Sequence, residues 1–153
     1  MPHSYGLKRG SKGLVAWSRV TKSLQRAHNY WVATSGLDGR VHATPVWGLW
    51  YDGAFHFSAD PKSRKGRDLS TNPNIAVHLE SGDDVVIIEG SAERIRLKGA
   101  SLEEFAKSYE RKYEFKVDFA NPDFAVYVVR PRAVYAWLEK DFPVSATRWK
   151  FRR

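Results

Sequence analysis

The stretch YWVATSGLDGRVHATPVWGLWYDGAFHFSA, residues 30–59, decides the fold. Tyr30 to Thr34 is rich in aromatic and β-favouring residues and predicts a strand. Asp38-Gly39 joins YWVATS to RVHATPVWGLWY, and Asp52-Gly53 joins that segment to AFHFSA. An Asp-Gly pair between apolar strands is the strongest short hairpin signal, because both turn positions favour positive φ. The stretch therefore predicts consecutive antiparallel strands, the middle one long. Pro45 cannot donate to a ladder, which puts it at an edge or a bulge of that strand.

Downstream comes KSRKGRDLSTNPN, residues 62–74. Ser63 predicts an N-cap and Pro73 a stop, with a short helix between them. Residues 75–80 (IAVHLE) predict a strand, 81–84 a turn, and 85–95 a strand that begins buried on both faces and then alternates. Ser101-Leu-Glu-Glu104 has the form of a capping box. It opens an amphipathic helix with Leu102, Phe105, Tyr109 and Tyr113 on one face. Residues 124–129 and 133–138 predict one last long strand, interrupted at Arg130-Pro131, and the tail SATRWKFRR a final short one. Upstream, Ser18 is placed to cap a short helix carrying Val20, Leu24 and Ala27, and residues 1–13 predict a loose basic arm. The sum is about six or seven antiparallel strands with short helices, a mainly β (α+β) chain; closure into a small barrel removes its edges.

At 153 residues the chain suits one domain, and 42% apolar residues are enough for a core. There is no cysteine, which excludes disulfides, thiolate metal sites and a cysteine nucleophile. The longest apolar run, Phe124 to Val129, is too short to cross a bilayer as a helix. With no apolar run near the N-terminus, a cytoplasmic protein is the expectation. The net charge of +8 favours an anionic partner. Cations cluster in residues 1–37, where no acid occurs, at Lys62, Arg64, Lys65 and Arg67, and at Arg148, Lys150, Arg152 and Arg153.

The nucleophile-elbow, zinc-helix, dinucleotide and phosphate-loop signatures are all missing. His42, His56 and His78 fall on three different predicted strands, and no spacing asks for a metal. The segment that invites chemistry is Ser63-Arg64-Lys65 at a helix start. Free N–H groups there favour an anion, and two cations on the same turn add a fork and a point charge. Cations at a helix N-terminus otherwise oppose the dipole, at a cost of up to ~1 kcal/mol. The bland alternative is a solvated basic face.

The run D-G-R-x-H-x-T-P-V-W-x-x-W-x-D-G-x-x-x-F-S-x-x-x-x-S-R-K-x-x-x-L-x-x-N-P-x-x-A-V-H, continuing to V-x-x-x-G-x-A-E-R, resembles the pyridoxamine 5'-phosphate oxidase-like split β-barrel superfamily. That superfamily includes FMN-binding oxidoreductases and deazaflavin (F420) dependent reductases. The resemblance covers roughly residues 14–153. It implies a six-stranded antiparallel split β-barrel with short flanking helices, and a homodimer with cofactor sites at the interface. It further implies that Thr44, Pro45, Val46 and Trp47 line the flavin, and that Phe57 and Ser58 end a strand near its phosphate. Ser63, Arg64 and Lys65 would hold that phosphate. Trp137 and Arg152 would approach the cofactor and Arg148 the substrate. Leu49 and Val85 stand where the vitamin B6 oxidase has a lysine and a glutamine, which argues against pyridoxamine phosphate as substrate. The Trp-rich strand and short chain look more like the deazaflavin branch, and both FMN and F420 remain open.

Trp47, Trp50 and Trp137 are candidates for a stacking wall, with core packing as the alternative. The leading expectation is an oxidoreductase transferring hydride to or from a small organic molecule. The rivals are a flavin- or haem-binding protein of the same fold without turnover, and, less favoured, a nucleic-acid binder using the basic arm.

Overall fold

The computed structural model describes residues 3–7 and 10–152. Its strands are β1 (Tyr30–Ser35), β2 (Val41–Val46), β3 (Gly48–Tyr51), β4 (Ala54–Ala59), β5 (Asn74–His78), β6 (Asp84–Ile95), β7 (Ala125–Leu138) and β8 (Thr147–Lys150). The α-helices are α1 (Trp17–Arg26), α2 (Arg64–Thr71), α3 (Gly99–Tyr113) and the single turn α4 (Phe142–Ser145). Among the described residues no helix is long and apolar enough to cross a membrane.

All strands join one antiparallel sheet in the order β2-β1-β5-β6-β7-β4-β3, with β8 added to β7. The first and last strands of that order are one chain segment broken only at Trp47. Residues 41–51 pair with β1 through β2 and with β4 through β3. The segment thus carries the chain from one edge of the sheet to the other and curls it into a split barrel. The expected long middle strand is two strands, because its two halves belong to different edges. The eight segments also exceed the expected six or seven strands, and the break at Trp47 is part of the reason.

Asp52 (φ 51°) and Gly53 (φ 69°) form the expected tight turn between β3 and β4. Asp38-Gly39 does not: only Gly39 is at positive φ, and residues 36–40 separate the strands. Asp38 instead accepts from the Arg40 N–H through its own carboxylate at 3.0 Å, a side-chain-closed turn.

Two expected caps are also absent. Helix α1 begins after Ala16, with Ser18 already inside its first turn. Its start is set by packing, since Trp17 meets Trp149 at 5.1 Å and Trp50 at 6.3 Å. Helix α3 begins after Lys98, so Ser101 donates back to the Lys98 carbonyl at 3.0 Å rather than capping.

Strand β7 runs unbroken through Arg130-Pro131. Opposite it the register slips between Glu89 and Gly90, leaving Arg132 as the extra residue. Gly90 is required there: a Cβ would lie 2.4 Å from the Arg130 carbonyl oxygen. Part of the expected loose arm, residues 1, 2, 8 and 9, lies outside the described residues. His3–Tyr5 makes a short 3-10 turn, and the Tyr5 ring meets Phe142 at 6.4 Å.

The barrel interior is filled from every strand, β2 and β8 contributing least, around Tyr30, Val32, Phe55, Phe57, Val77, Ile88, Val129 and Val134, with Val20 and Leu24 of α1 closing one end. A second cluster forms outside the barrel, where α3 lays Phe105, Tyr109 and Tyr113 over Leu49 and Val126. The outer face that α3 leaves open is crossed by two rows of paired residues. Pro45, Trp31, His78, Ile87, Tyr135 and Arg148 form one cross-strand row over six strands. Beside it run Ala43, Ala33, Ala76, Glu89, Ala133 and Lys150. No member of either row is fully buried.

Candidate functional site

The Ser63 turn folds as its sequence predicts. Ser63 is the N-cap of α2 and accepts from the Gly66 N–H at 3.2 Å. Its hydroxyl hydrogen goes to the Asp60 carbonyl at 2.6 Å, so it serves the turn and is not the extra donor expected for an anion. Gly66 is needed because a Cβ there would come within 2.5 Å of the Asp60 carbonyl oxygen. The Gly66 and Arg67 N–H groups are taken by Ser63. The N–H groups of Arg64 and Lys65 head the helix, where the dipole favours negative charge.

Arg64 is aimed by groups the sequence reading passed over. Its Nε lies 3.3 Å from the Asp68 carboxylate, and one terminal nitrogen donates to the Arg40 carbonyl at 3.3 Å. Asp68 is 6% exposed and also accepts from Thr34 at 2.9 Å. A Cβ on Gly36, the residue after β1, would sit 2.9 Å from the same carboxylate, so glycine there leaves room for it. The i, i+4 spacing of Arg64 and Asp68 was the available signal. A guanidinium has five N–H donors. Two are committed here, so the others stay available beside Lys65, which is half-buried and has no salt bridge among the described residues.

Thr44 and Ser58 carry two of the three buried side-chain polar atoms without a hydrogen-bond partner among the described residues; the third is Nδ1 of His56. Both hydroxyls belong to the set that the resemblance implied. Each such orphan costs about 1–3 kcal/mol unless a ligand or water reaches it. Pro45 is exposed on β2, the edge strand, as its missing N–H requires. The outward side of β2 therefore offers unpaired backbone groups.

The aromatic side chains divide differently from expectation. Trp47 stacks on Tyr113 at 4.6 Å and touches His28 and Phe115, so it holds α3 rather than facing α2. Trp50 and Phe57 are core residues, and Val46 packs against the same core. Trp137 packs on Phe142 at the outer side of β7, beside a cleft it shares with Tyr5, Ile87 and Tyr135. In the register, Thr34 shares a level with Ile75, Gly90 and Pro131, whereas Trp137 pairs Val85. Five residues along β6 are roughly 17 Å. One chain thus gathers Ser63, Arg64 and Lys65 but leaves Trp137 and Arg148 at another level of the sheet. Arg148 and Arg152 are exposed.

Behind Trp47 lies a polar lock. Lys112 donates to the Tyr30 hydroxyl at 2.7 Å and the Gly48 carbonyl at 3.0 Å, and Tyr30 donates to the Leu24 carbonyl. Burial lowers the Lys112 ammonium to about 8 and pushes the Tyr113 phenol up to about 12. His56, under Tyr51, is lowered by burial to about 4. The described residues hold no cluster of metal-ligating side chains.

The family model described as Pyridoxamine 5'-phosphate oxidase matches residues 18–138. The chain belongs to this family, within the split-barrel superfamily that the sequence resembled. Solved structures share the fold at low identity. A conserved hypothetical protein from Mycobacterium tuberculosis is 21% identical, with a TM-score of 0.71 over 86% of this chain and 90% of that one. A structure named as an F420 reductase is 21% identical, with a TM-score of 0.61 over 82% and 98%. The haem storage protein HutZ from Vibrio cholerae is 11% identical, with a TM-score of 0.64 over 78% and 93%. The search of curated proteins gives no match.

Proposed function

We propose that this chain binds a phosphate-bearing flavin or deazaflavin, FMN or F420, and acts as an oxidoreductase on a small organic molecule. The observation that carries this reading is the head of α2. Arg64, its guanidinium fixed by a buried carboxylate, Lys65 and two helix N–H groups belong to that first turn, a donor set suited to a phosphate. The unpartnered hydroxyl of Thr44 on β2 would favour a polar ligand, whereas that of Ser58 lies on the opposite face, beside Val126.

These residues fit the anion. The tryptophans expected as a stacking wall are engaged elsewhere in the same chain, Trp47 on Tyr113, Trp50 in the core and Trp137 on Phe142. A second copy laid on the row from Pro45 to Arg148 would bring the partner's Trp137 and the partner's Arg148 toward the site. The proposed form is thus a homodimer with cofactor sites at its interface. When bound, the cofactor supplies hydride transfer. The chain anchors the phosphate through Arg64 and Lys65, holds Arg64 in place with Asp68, and presents the backbone edge of β2. The dimer contact would exclude water from the ring.

The test is a titration of purified protein with FMN and with F420, followed by fluorescence. Replacing Arg64→Ala together with Lys65→Ala should weaken binding by about 3 kcal/mol or more, since charge-assisted bonds contribute about 1.5–3 kcal/mol each. Unchanged affinity in that variant removes the site assignment. The HutZ likeness favours a second reading, binding of flavin or haem without turnover. Tight binding with no activity across a panel of electron donors would select it.

A further inference from the structure

We infer that a second small-molecule site, beyond the proposed phosphate turn, lies at the far end of β6 and takes a medium-chain alkanoate. A cavity of about 530 Å³ opens between the end of β6, the start of α3 and residues 119–122. None of the cofactor residues implied by the sequence lines it. Its apolar side is formed by Leu97, Leu102, Phe119 and Val126. Its rim carries Arg96 and Lys98, and no Asp or Glu lines it; Arg94, also in the lining, pairs with Tyr127, which Asp60 reaches too.

Arg96 and Lys98 are exposed, and neither has a salt bridge among the described residues. Two cations two residues apart in sequence, with no acid in the lining, favour an anionic ligand. The volume suits a small ligand, since such sites span about 300–1,000 Å³. An uncharged ligand would leave the cations unanswered, and a bare anion would leave the apolar wall wet. A carboxylate on an alkyl chain satisfies both sides. Its head would meet Arg96 and Lys98, and its tail would cover Leu102 and Phe119.

The experiment titrates the full chain by calorimetry with octanoate, 1-octanol and inorganic phosphate. Octanoate should bind saturably at one per chain, more tightly than either control. Arg96→Ala with Lys98→Ala should weaken octanoate binding about tenfold or more. Lys107→Ala with Arg111→Ala removes the same charge from the exposed side of α3 and should leave it unchanged. Amide shifts on adding octanoate should centre on residues 94–98 and 119–122, which keeps the test open if a variant misfolds. Absence of saturable octanoate binding up to millimolar concentration would overturn the proposal. So would equal binding of octanol or phosphate, or equal weakening in the control variant.

Discussion

Arg64 stands where opposing requirements meet. A cation at a helix start costs up to ~1 kcal/mol against the dipole. Here Asp68, one turn on and buried, offsets that cost and holds the fork in one orientation. Ser63 was legible as a cap because capping chemistry is local. Asp68 was harder to read, because its value depends on Thr34 and Gly36, which arrive from another strand. A second residue-scale consequence concerns His56. Burial holds its folded-state pKa at about 4, below the ordinary 6.5. Between those values the unfolded chain takes up a proton that the folded chain refuses. The contribution is therefore complete above about pH 6.5 and is lost as pH falls toward 4. Thermal midpoints measured from pH 7 to pH 4 should fall less steeply for His56→Gln than for the parent. Parallel curves would mean that His56 does not titrate this way.

Among the elements, the Asp52-Gly53 turn and helix α2 were readable from sequence because their determinants lie within a few residues. The break at Trp47 was not, since both halves of 41–51 are equally β-prone and only the closing of the barrel separates them. Nor was the open loop at 36–40, where the Asp38 carboxylate takes the Arg40 N–H and closes a wider turn than a two-residue hairpin. The α2 turn makes its own prediction. A methyl group at Gly66 would collide with the Asp60 and Pro61 carbonyls. Gly66→Ala should destabilise the fold by about 1–3 kcal/mol, the usual cost of overpacking, and weaken FMN binding with it. Denaturant unfolding checks the first effect, and a variant as stable as the parent would show that the turn has room to relax.

Over the whole molecule, β periodicity and turns were enough to read a mainly antiparallel barrel. Which face stays open was not readable, because two consecutive faces of such strands are both rich in apolar and small residues. The open face is where the proposed dimer belongs, and Ile87 lies near the middle of its long row. Ile87→Arg places a charge there and should shift the protein from dimer to monomer in sedimentation velocity, with cofactor affinity falling alongside. A parent protein that sediments as a monomer at micromolar concentration would refute the arrangement.

The phosphate anchor itself can be isolated by chemistry rather than mutation. FMN and riboflavin differ only in the terminal phosphate, so their affinities for the same purified protein report what that group contributes. F420 and its deazaflavin core form a looser pair, because the core lacks the phosphate and all that is attached beyond it. If Arg64, Lys65 and the head of α2 hold the phosphate, the phosphorylated member should bind at least about a hundredfold tighter, from two charge-assisted bonds. Equal affinity within both pairs would contradict the account.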